Sequence, residues 1–281
     1  MTWKLSLTPL VKQNQELLKP KMKFAVNYST PLRDLIRQNA VKVDLLKCPE
    51  WDGIVNAAKP YGPVYIHYEI SLGAGNIQKL NIDLIEHFLQ TTPTPHLNTH
   101  LSNIPALEAD NQANRKKMLG NWKADIAYLR DQFSGVKIIA ENLPWHDFLP
   151  YLRIAADPDL ISEVIEECDL GLLLDLSHAQ ISAQAFGIDF KEYISRLPLH
   201  RLAELHITGI CEYAGFPTDH FELQPQDWAA VAWAADQINA GAWHRPEIVA
   251  FEYGGIGDVF CWRTEPSVLK EQVPLLYQIF T

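Results

Sequence analysis

The sequence predicts an α/β fold: one (β/α)8 TIM barrel over residues 1–281, with 1–21 as a polar lead and the active site at the C-terminal ends of the strands. Short apolar runs alternate with stretches of helical periodicity, eight times over, at spacings of roughly 20–45 residues. Several of those runs stop at an acid or a histidine, where barrels of this kind carry their chemistry. No GxGxxG follows the first run, which argues against a dinucleotide-binding sheet. The clearest run is Leu170 to His178, in which Leu172, Leu173 and Leu174 precede Asp175. Three leucines in a row suit a parallel strand covered on both faces. The abrupt acid is costly to bury unless it is paired, hydrogen-bonded or bound to metal.

The elements follow in order. Lys23–Asn27 reads as the first strand, and Thr30-Pro31 as the N-cap and first position of a helix with Leu32, Leu35 and Ile36 on one face. Val43–Cys48 is the second strand, with a helix over Trp51–Ala58, and Val64–His67 is the third. Ile77, Leu80, Leu84, Ile85 and Phe88 give helical spacing within Asn76–Leu89. His96–His100 is the fourth strand, and Leu107–Phe133 the longest helix, striped by Met118, Trp122, Ile126 and Leu129. Val136–Glu141 is the fifth strand, and Asp157-Pro158-Asp159 opens a helix with acids in its first turn. The leucine run is the sixth strand and Leu202–Ile207 the seventh. A helix over Pro225–Asn239 leads to the eighth, Ile248–Phe251, and Pro266–Phe280 closes the chain as a helix.

With 281 residues, 47% hydrophobic, the chain can bury a large core. A net charge of -10 leaves no broad electrostatic footprint for nucleic acid. No run reaches the ~18 apolar residues of a spanning helix and the start lacks a signal-peptide core, so the expectation is a cytoplasmic protein without a membrane partner. Cys48, Cys168, Cys211 and Cys261 are scattered and read as structural, with Cys211 the one to watch as a soft ligand.

The polar residues closing the strands share one character. They are His67, His100, Glu141, Asp175 with His178, His206, Asp219-His220 in the loop beyond strand seven, and Glu252. Imidazoles and carboxylates are ligands for first-row transition ions. Each has a plainer reading: His67 or His206 alone as a hydrogen-bonded structural histidine, Glu141 as a loop cap, Asp175 as the N-cap of the next helix, and His178 as a first-turn residue. Taken together they point to a metal site, because such a cluster without metal would leave several charges buried side by side. His87, His200 and His244 fall on a helix or before strands, and His96 lies below the mouth. His146 is a substrate-side candidate, and Trp145 and Trp262 sit in loops that could line a pocket.

These residues resemble the xylose-isomerase-like TIM barrels, which include the endonuclease IV-like enzymes. More closely they resemble the multinuclear non-haem iron-dependent oxidative enzymes. The likeness rests on Glu141-Asn142, on Gly171–Asp175 with His178, Ser182 and Ala183, and on Leu197-Pro198-Leu199 leading to Glu204–Ile207 and Gly209. Asp219-His220 and Glu252 complete it, and it covers Val136 to Gly254, with His67 and His100 matching in the first half. It implies two or three clustered metal ions, iron in the active form (Zn or Mn being the other candidates), held by those nine residues. Glu141, Asp175 and Glu252 would do the catalytic carboxylate work. It also implies oxidation of a peptide or small molecule and a partner protein that delivers the peptide. Asp219 and His220 are adjacent where the family separates Asp and His by one residue, so which of the two binds stays open. The first two strands lack the family's glycine-rich and acidic signatures. The alternatives are a divalent-metal sugar isomerase or epimerase, an endonuclease IV-like phosphodiesterase, and a non-catalytic metal-binding module.

Overall fold

The computed structural model describes residues 21–258 and 261–281; the polar lead, apart from Lys21, lies outside the described residues. Nine parallel strands share one sheet: β1 Lys23–Asn27, β2 Leu45–Cys48, β3 Val64–Ile66, β4 Ser71–Leu72, β5 Leu97–Leu101, β6 Ile138–Glu141, β7 Gly171–Asp175, β8 Leu202–Ile207 and β11 Ile248–Phe251. The remaining two, β9 Gly209–Tyr213 and β10 Phe216–Phe221, form an antiparallel hairpin. Helices α1 Thr30–Arg37, α2 Asp52–Ala58, α3 Ile82–Thr91, α4 Gln112–Gln132 and α5 Pro158–Glu167 follow the strands of the first half. In the second half come α6 Leu176–Phe186, α7 Phe190–Ser195, α8 Pro225–Ala240 and α9 Pro266–Phe280. No helix among the described residues is long and apolar enough to cross a membrane.

The sheet order β3-β2-β1-β11-β8-β7-β6-β5-β4 begins and ends on strands adjacent in the chain, so the sheet curls round into an α/β barrel. β4 continues the third barrel strand after a break, and the seam beside it is closed by side chains. The Ile66 amide donates to Thr94 Oγ1 at 2.9 Å, and the Asn98 carboxamide accepts from the Tyr68 amide at 2.7 Å and donates to its carbonyl at 3.0 Å. Asn98 thus replaces a missing strand neighbour. The two-residue β4 has too little apolar periodicity to be read from sequence.

Each barrel strand sends alternate residues inward. Ala25, Leu45, Tyr65, Ile248 and Ala250 pack together in one cluster, and Ile139, Leu173 and Ala203 in a second. Leu172 and Leu174 point the other way, into the large layer between sheet and helices. The leucine run is therefore covered on both faces, as its composition requires.

Several boundaries differ from the sequence reading. Ser29, not Thr30, caps α1, its hydroxyl accepting from the Leu32 amide at 3.3 Å. Strand two starts at Leu45, strand three ends at Ile66 before His67, and the fifth begins at Ile138. The long helix starts at Gln112, capped by Asn111. The hairpin also went unread. Its tip, Ala214-Gly215, has positive φ at both residues, the geometry of a two-residue turn that suits strand twist, though Ala214 lacks the usual Asn or Asp signature.

Candidate metal centre

One inward step above the apolar layers, the barrel strands end in polar side chains: Asn27, Lys47, His67, His100, Glu141, Asp175, His206 and Glu252. A cavity of about 260 Å³ opens there, lined by Lys47, His67, His100, Glu141, His178, His220 and Glu252 among others. The carboxylate of Glu141 lies at the centre. Its Oε2 is 3.6 Å from His67 Nε2 and 3.2 Å from His100 Nε2, while Oε1 is 3.4 Å from His206 Nδ1 and 3.5 Å from His178 Nδ1. Burial alone would raise its pKa, but His206 and His100 hold it well below the usual carboxylate range.

The histidine tautomers are fixed from outside the cluster. A carbonyl oxygen can only accept, so His100 Nδ1 donates to Ile70 O (3.2 Å), His178 Nδ1 to Asn142 O (2.8 Å) and His220 Nδ1 to Glu252 O (2.8 Å). His206 Nε2 donates to Glu204 Oε1 at 2.8 Å. In His100, His206 and His220 the remaining nitrogen carries its lone pair on the side away from that bond, the arrangement metal-ligating histidines adopt, while His178 Nε2 donates to Asp219 until an ion takes the place of its proton. His206 Nδ1, Glu141 Oε2 and Asp175 Oδ2 are buried and find no hydrogen-bond partner. Unpartnered buried donors and acceptors are costly, and a cation bound among them would remove that cost. The residues present therefore fit metal ions. Three overlapping triads have ligand atoms close enough to share an ion: His67–Glu141–His206, Glu141–Asp175–His178 and Asp175–His206–Glu252.

Asp175 serves two ends at once. Its Oδ1 accepts from the His178 amide at 2.9 Å and from Ser177 Oγ at 2.5 Å, capping α6, while Oδ2 lies 3.8 Å from His178 Nε2. His178 Nε2 also meets Asp219 Oδ2 at 2.8 Å. Burial would lower the His178 pKa, yet Asp175 and Asp219 push it up to about 10. The same contact, together with His220, holds Asp219 well below the carboxylate range against its own burial.

Asp219 and His220 lie where the hairpin register shifts between Thr218 and Phe221, and His220 has φ of 63°. Neighbours in a regular strand face opposite ways; this bulge brings both to the barrel mouth. Asp219 makes the contact with His178, and His220 lines the cavity with Nε2 3.8 Å from Asp219.

Seven of the nine sequence candidates thus crowd round the Glu141–Asp175 centre, and the hairpin adds the other two. Three partners have no role assigned from the sequence. Lys47, buried on β2, forms an ion pair with Glu252 Oε1. Burial pulls its ammonium down to about 8 against the field of Glu141, Glu204 and Asp175. Glu204 accepts from His206, from Tyr65 Oη at 3.0 Å and from His96 Nε2 at 2.5 Å, so His96 lies below the mouth as its sequence position implied. Asn142 braces β6 to β7, accepting from the Asp175 amide at 2.9 Å and donating to its carbonyl at 3.1 Å. Strand parity was the available signal: Lys47 and Glu204 are polar residues on the inward face of otherwise apolar strands.

The other candidates lie elsewhere. Cys211 is exposed within β9 and joins none of the triads. His146 packs with Phe148 and Phe216 at ring-centroid distances of 5.1 and 5.3 Å, lining with Trp145 a neighbouring cavity of about 310 Å³. Trp262 is exposed beside Tyr213.

Residues 55–240, more than half of the chain, match the model of a family described as RiPP precursor modification enzyme MbnB/TglH/ChrH. A UPF0276 protein of Acaryochloris marina is 26% identical over 181 residues, covering 59% of this chain and 63% of that protein. A UPF0276 protein of Pseudomonas aeruginosa is 36% identical over 72 residues, covering 26% of this chain and 25% of that one. The chain thus matches less than two thirds of the length of either relative. Among solved structures, SacUVDE superposes with a TM-score of 0.50 at 10% identity, covering 92% of this chain and 99% of that one. That likeness shows the barrel fold alone.

Proposed function

Because the chain belongs to the MbnB/TglH/ChrH family of RiPP precursor modification enzymes, we propose that it is an iron-dependent oxidative enzyme acting on a peptide as a single TIM-barrel domain. The observation that carries this reading is the set of outward-fixed imidazoles facing the unpartnered oxygens of Glu141 and Asp175. A mixed nitrogen and carboxylate donor set suits iron better than the all-oxygen sets preferred by Mg or Ca. Bound iron would supply one-electron chemistry toward dioxygen and Lewis-acid polarisation of a substrate heteroatom.

The residues of this chain have separable roles. His67, His100, His206 and Glu141 would hold one ion, and Glu141, Asp175, His178 and Asp219 another. Glu141 would offer both of its oxygens to the ions and Asp175 only Oδ2, since Asp175 Oδ1 is already engaged in capping α6. His220, with Nδ1 tied to the Glu252 carbonyl and its side chain partly open, can hold a substrate proton at Nε2. Leu143 and Pro144 wall the cavity beside Glu141 and limit the entry of water. The peptide, delivered by a partner protein as the family likeness implies, would enter over this face.

The test is anaerobic reconstitution of chelated protein with ferrous iron, followed by oxygen-electrode and mass-spectrometric assays on candidate peptides. Oxygen uptake with a matching mass change in the peptide supports the reading. Turnover with Mn or Mg that needs no oxygen would transfer the assignment to isomerisation. Anaerobic cleavage of abasic DNA would transfer it to phosphodiester hydrolysis.

A further inference from the structure

Three triads suggest three ions, but their donors cannot all be used at once. His206 gives Nε2 to Glu204, and an imidazole has one lone pair left, so His206 Nδ1 serves one ion. Asp175 gives Oδ1 to the cap of α6 and keeps one free oxygen. Glu141 alone offers both oxygens, Oε2 towards His67 and His100, Oε1 towards His178 and His206. The first two triads can therefore fill together through Glu141. The third, Asp175–His206–Glu252, shares its histidine with the first and its free aspartate oxygen with the second. Only Glu252 remains its own, and Glu252 Oε1 already holds the buried ammonium of Lys47.

We propose that Lys47 occupies the third cation position of the centre, so that the chain binds two metal ions and Glu252 is the counter-ion of Lys47 rather than a metal ligand. The inference rests on the reading of this cluster as a metal centre. Charge points the same way. With the histidines neutral as ligands, Glu141, Asp175, Glu204, Asp219 and Glu252 carry five negative charges against one on Lys47. Two divalent cations cancel the remaining four, and a third would leave an excess of two positive charges among buried side chains, which is expensive. Lys47 is held in place by β2, where the Tyr28 amide donates to its backbone carbonyl at 2.9 Å, and its stem is enclosed by the barrel wall.

The experiment counts ions. Chelated protein is loaded anaerobically with ferrous iron, and in parallel with Mn, then desalted and assayed for metal per chain. The variants are Glu252→Gln, Asp175→Asn and the double variant Lys47→Met/Glu252→Gln, with Lys47→Met alone for thermal unfolding of the metal-free form. Two ions in the native chain, two in Glu252→Gln and in the double variant, and one in Asp175→Asn are expected. The metal-free Lys47→Met protein should melt below the double variant, because it alone keeps an unpaired buried carboxylate. Three ions in the native chain, loss of an ion in Glu252→Gln, or a Lys47→Met protein no less stable than the double variant would each overturn the proposal. If a single variant fails to fold, the native count and the double variant still decide. Two ions without oxygen uptake would refute the oxidative reading alone; three ions with turnover would refute the Lys47 assignment alone.

Discussion

Replacing Glu204 by Gln tests whether the metal centre depends on a residue that never touches the metal. Glu204 accepts three hydrogen bonds, from His206 Nε2 (2.8 Å) and Tyr65 Oη (3.0 Å) on Oε1 and from His96 Nε2 (2.5 Å) on Oε2. Burial would raise its pKa, but the bonds from His206 and His96 hold it well below the carboxylate range, so the acceptor is an anion. A carboxamide offers one oxygen, and its NH2 group must then face a donor. If it faces His206, that ring is favoured with its proton on Nδ1, and the lone pair beside Glu141 is lost. Loss of such an outer partner costs about 10–100-fold in metal affinity, or ~1.4–2.7 kcal/mol. A buried donor left unpaired costs about 1–3 kcal/mol, and one or two are stranded here. The stranded donors together cost ~1–6 kcal/mol, which, set against an unfolding entropy of about 2.1 cal/mol/K per residue, lowers the melting temperature of the metal-free protein by roughly 2–10 °C. Chelator competition measures the affinity and calorimetry the melting temperature. Affinity within twofold of the native protein and an unchanged melting temperature would refute the claim that Glu204 sets the His206 tautomer.

Three further outcomes are expected. Saturating the chelated protein with ferrous iron at about 100 times the dissociation constant should stabilise it by ~2.7 kcal/mol per ion, so that two ions raise the melting temperature by roughly 9 °C; no shift in calorimetry would mean that the cluster does not hold the ions. Gly209→Ala would bring a Cβ against the backbone carbonyl of Glu222 at the root of the hairpin. Overpacking of this kind costs about 1–3 kcal/mol, and metal affinity should fall because Asp219 moves with β10; isothermal titration checks it. Asn98→Ala removes both hydrogen bonds to Tyr68 at the barrel seam, and a loss of ~2–4 kcal/mol is expected in denaturant unfolding.

The barrel was legible because each parallel strand, covered on both faces, must be continuously apolar, and the leucine run could be little else. The strand-end ligands were legible by chemical type for a related reason: an acid or imidazole closing an apolar run has few cheap explanations. Lys47 and Glu204 were harder to see. Each lies inside a strand, and only its parity distinguishes an inward polar residue from one facing the helices. The hairpin was hidden because Cys211, Glu212 and Tyr213 carry no alternation that leads to a buried face, and in the structure they are exposed. The adjacency of Asp219 and His220, which left the choice between them open, is a backbone matter. A bulge with His220 at φ 63° turns both residues to one side, and no composition signal encodes it.

The plain and the functional readings of Asp175 are both right, because a carboxylate has two oxygens. Capping by Oδ1 starts α6 at the very next residue and fixes the rotamer of the side chain, which aims Oδ2 into the barrel. The same cap puts His178 in the first turn, and helical side chains lean back towards the N-terminus, hence towards the mouth. That is how a spacing of three residues brings His178 Nε2 to 3.8 Å from Asp175 Oδ2 without a long loop. Asn142 locks the arrangement, since it pairs with both backbone groups of Asp175 while its own carbonyl takes the His178 Nδ1 proton. Strand end, cap, tautomer and ligand direction are thus one hydrogen-bonded unit. The interaction that stabilises the start of the helix also points a free anion at the site, which is why an acid stands at a position where stability alone would accept serine.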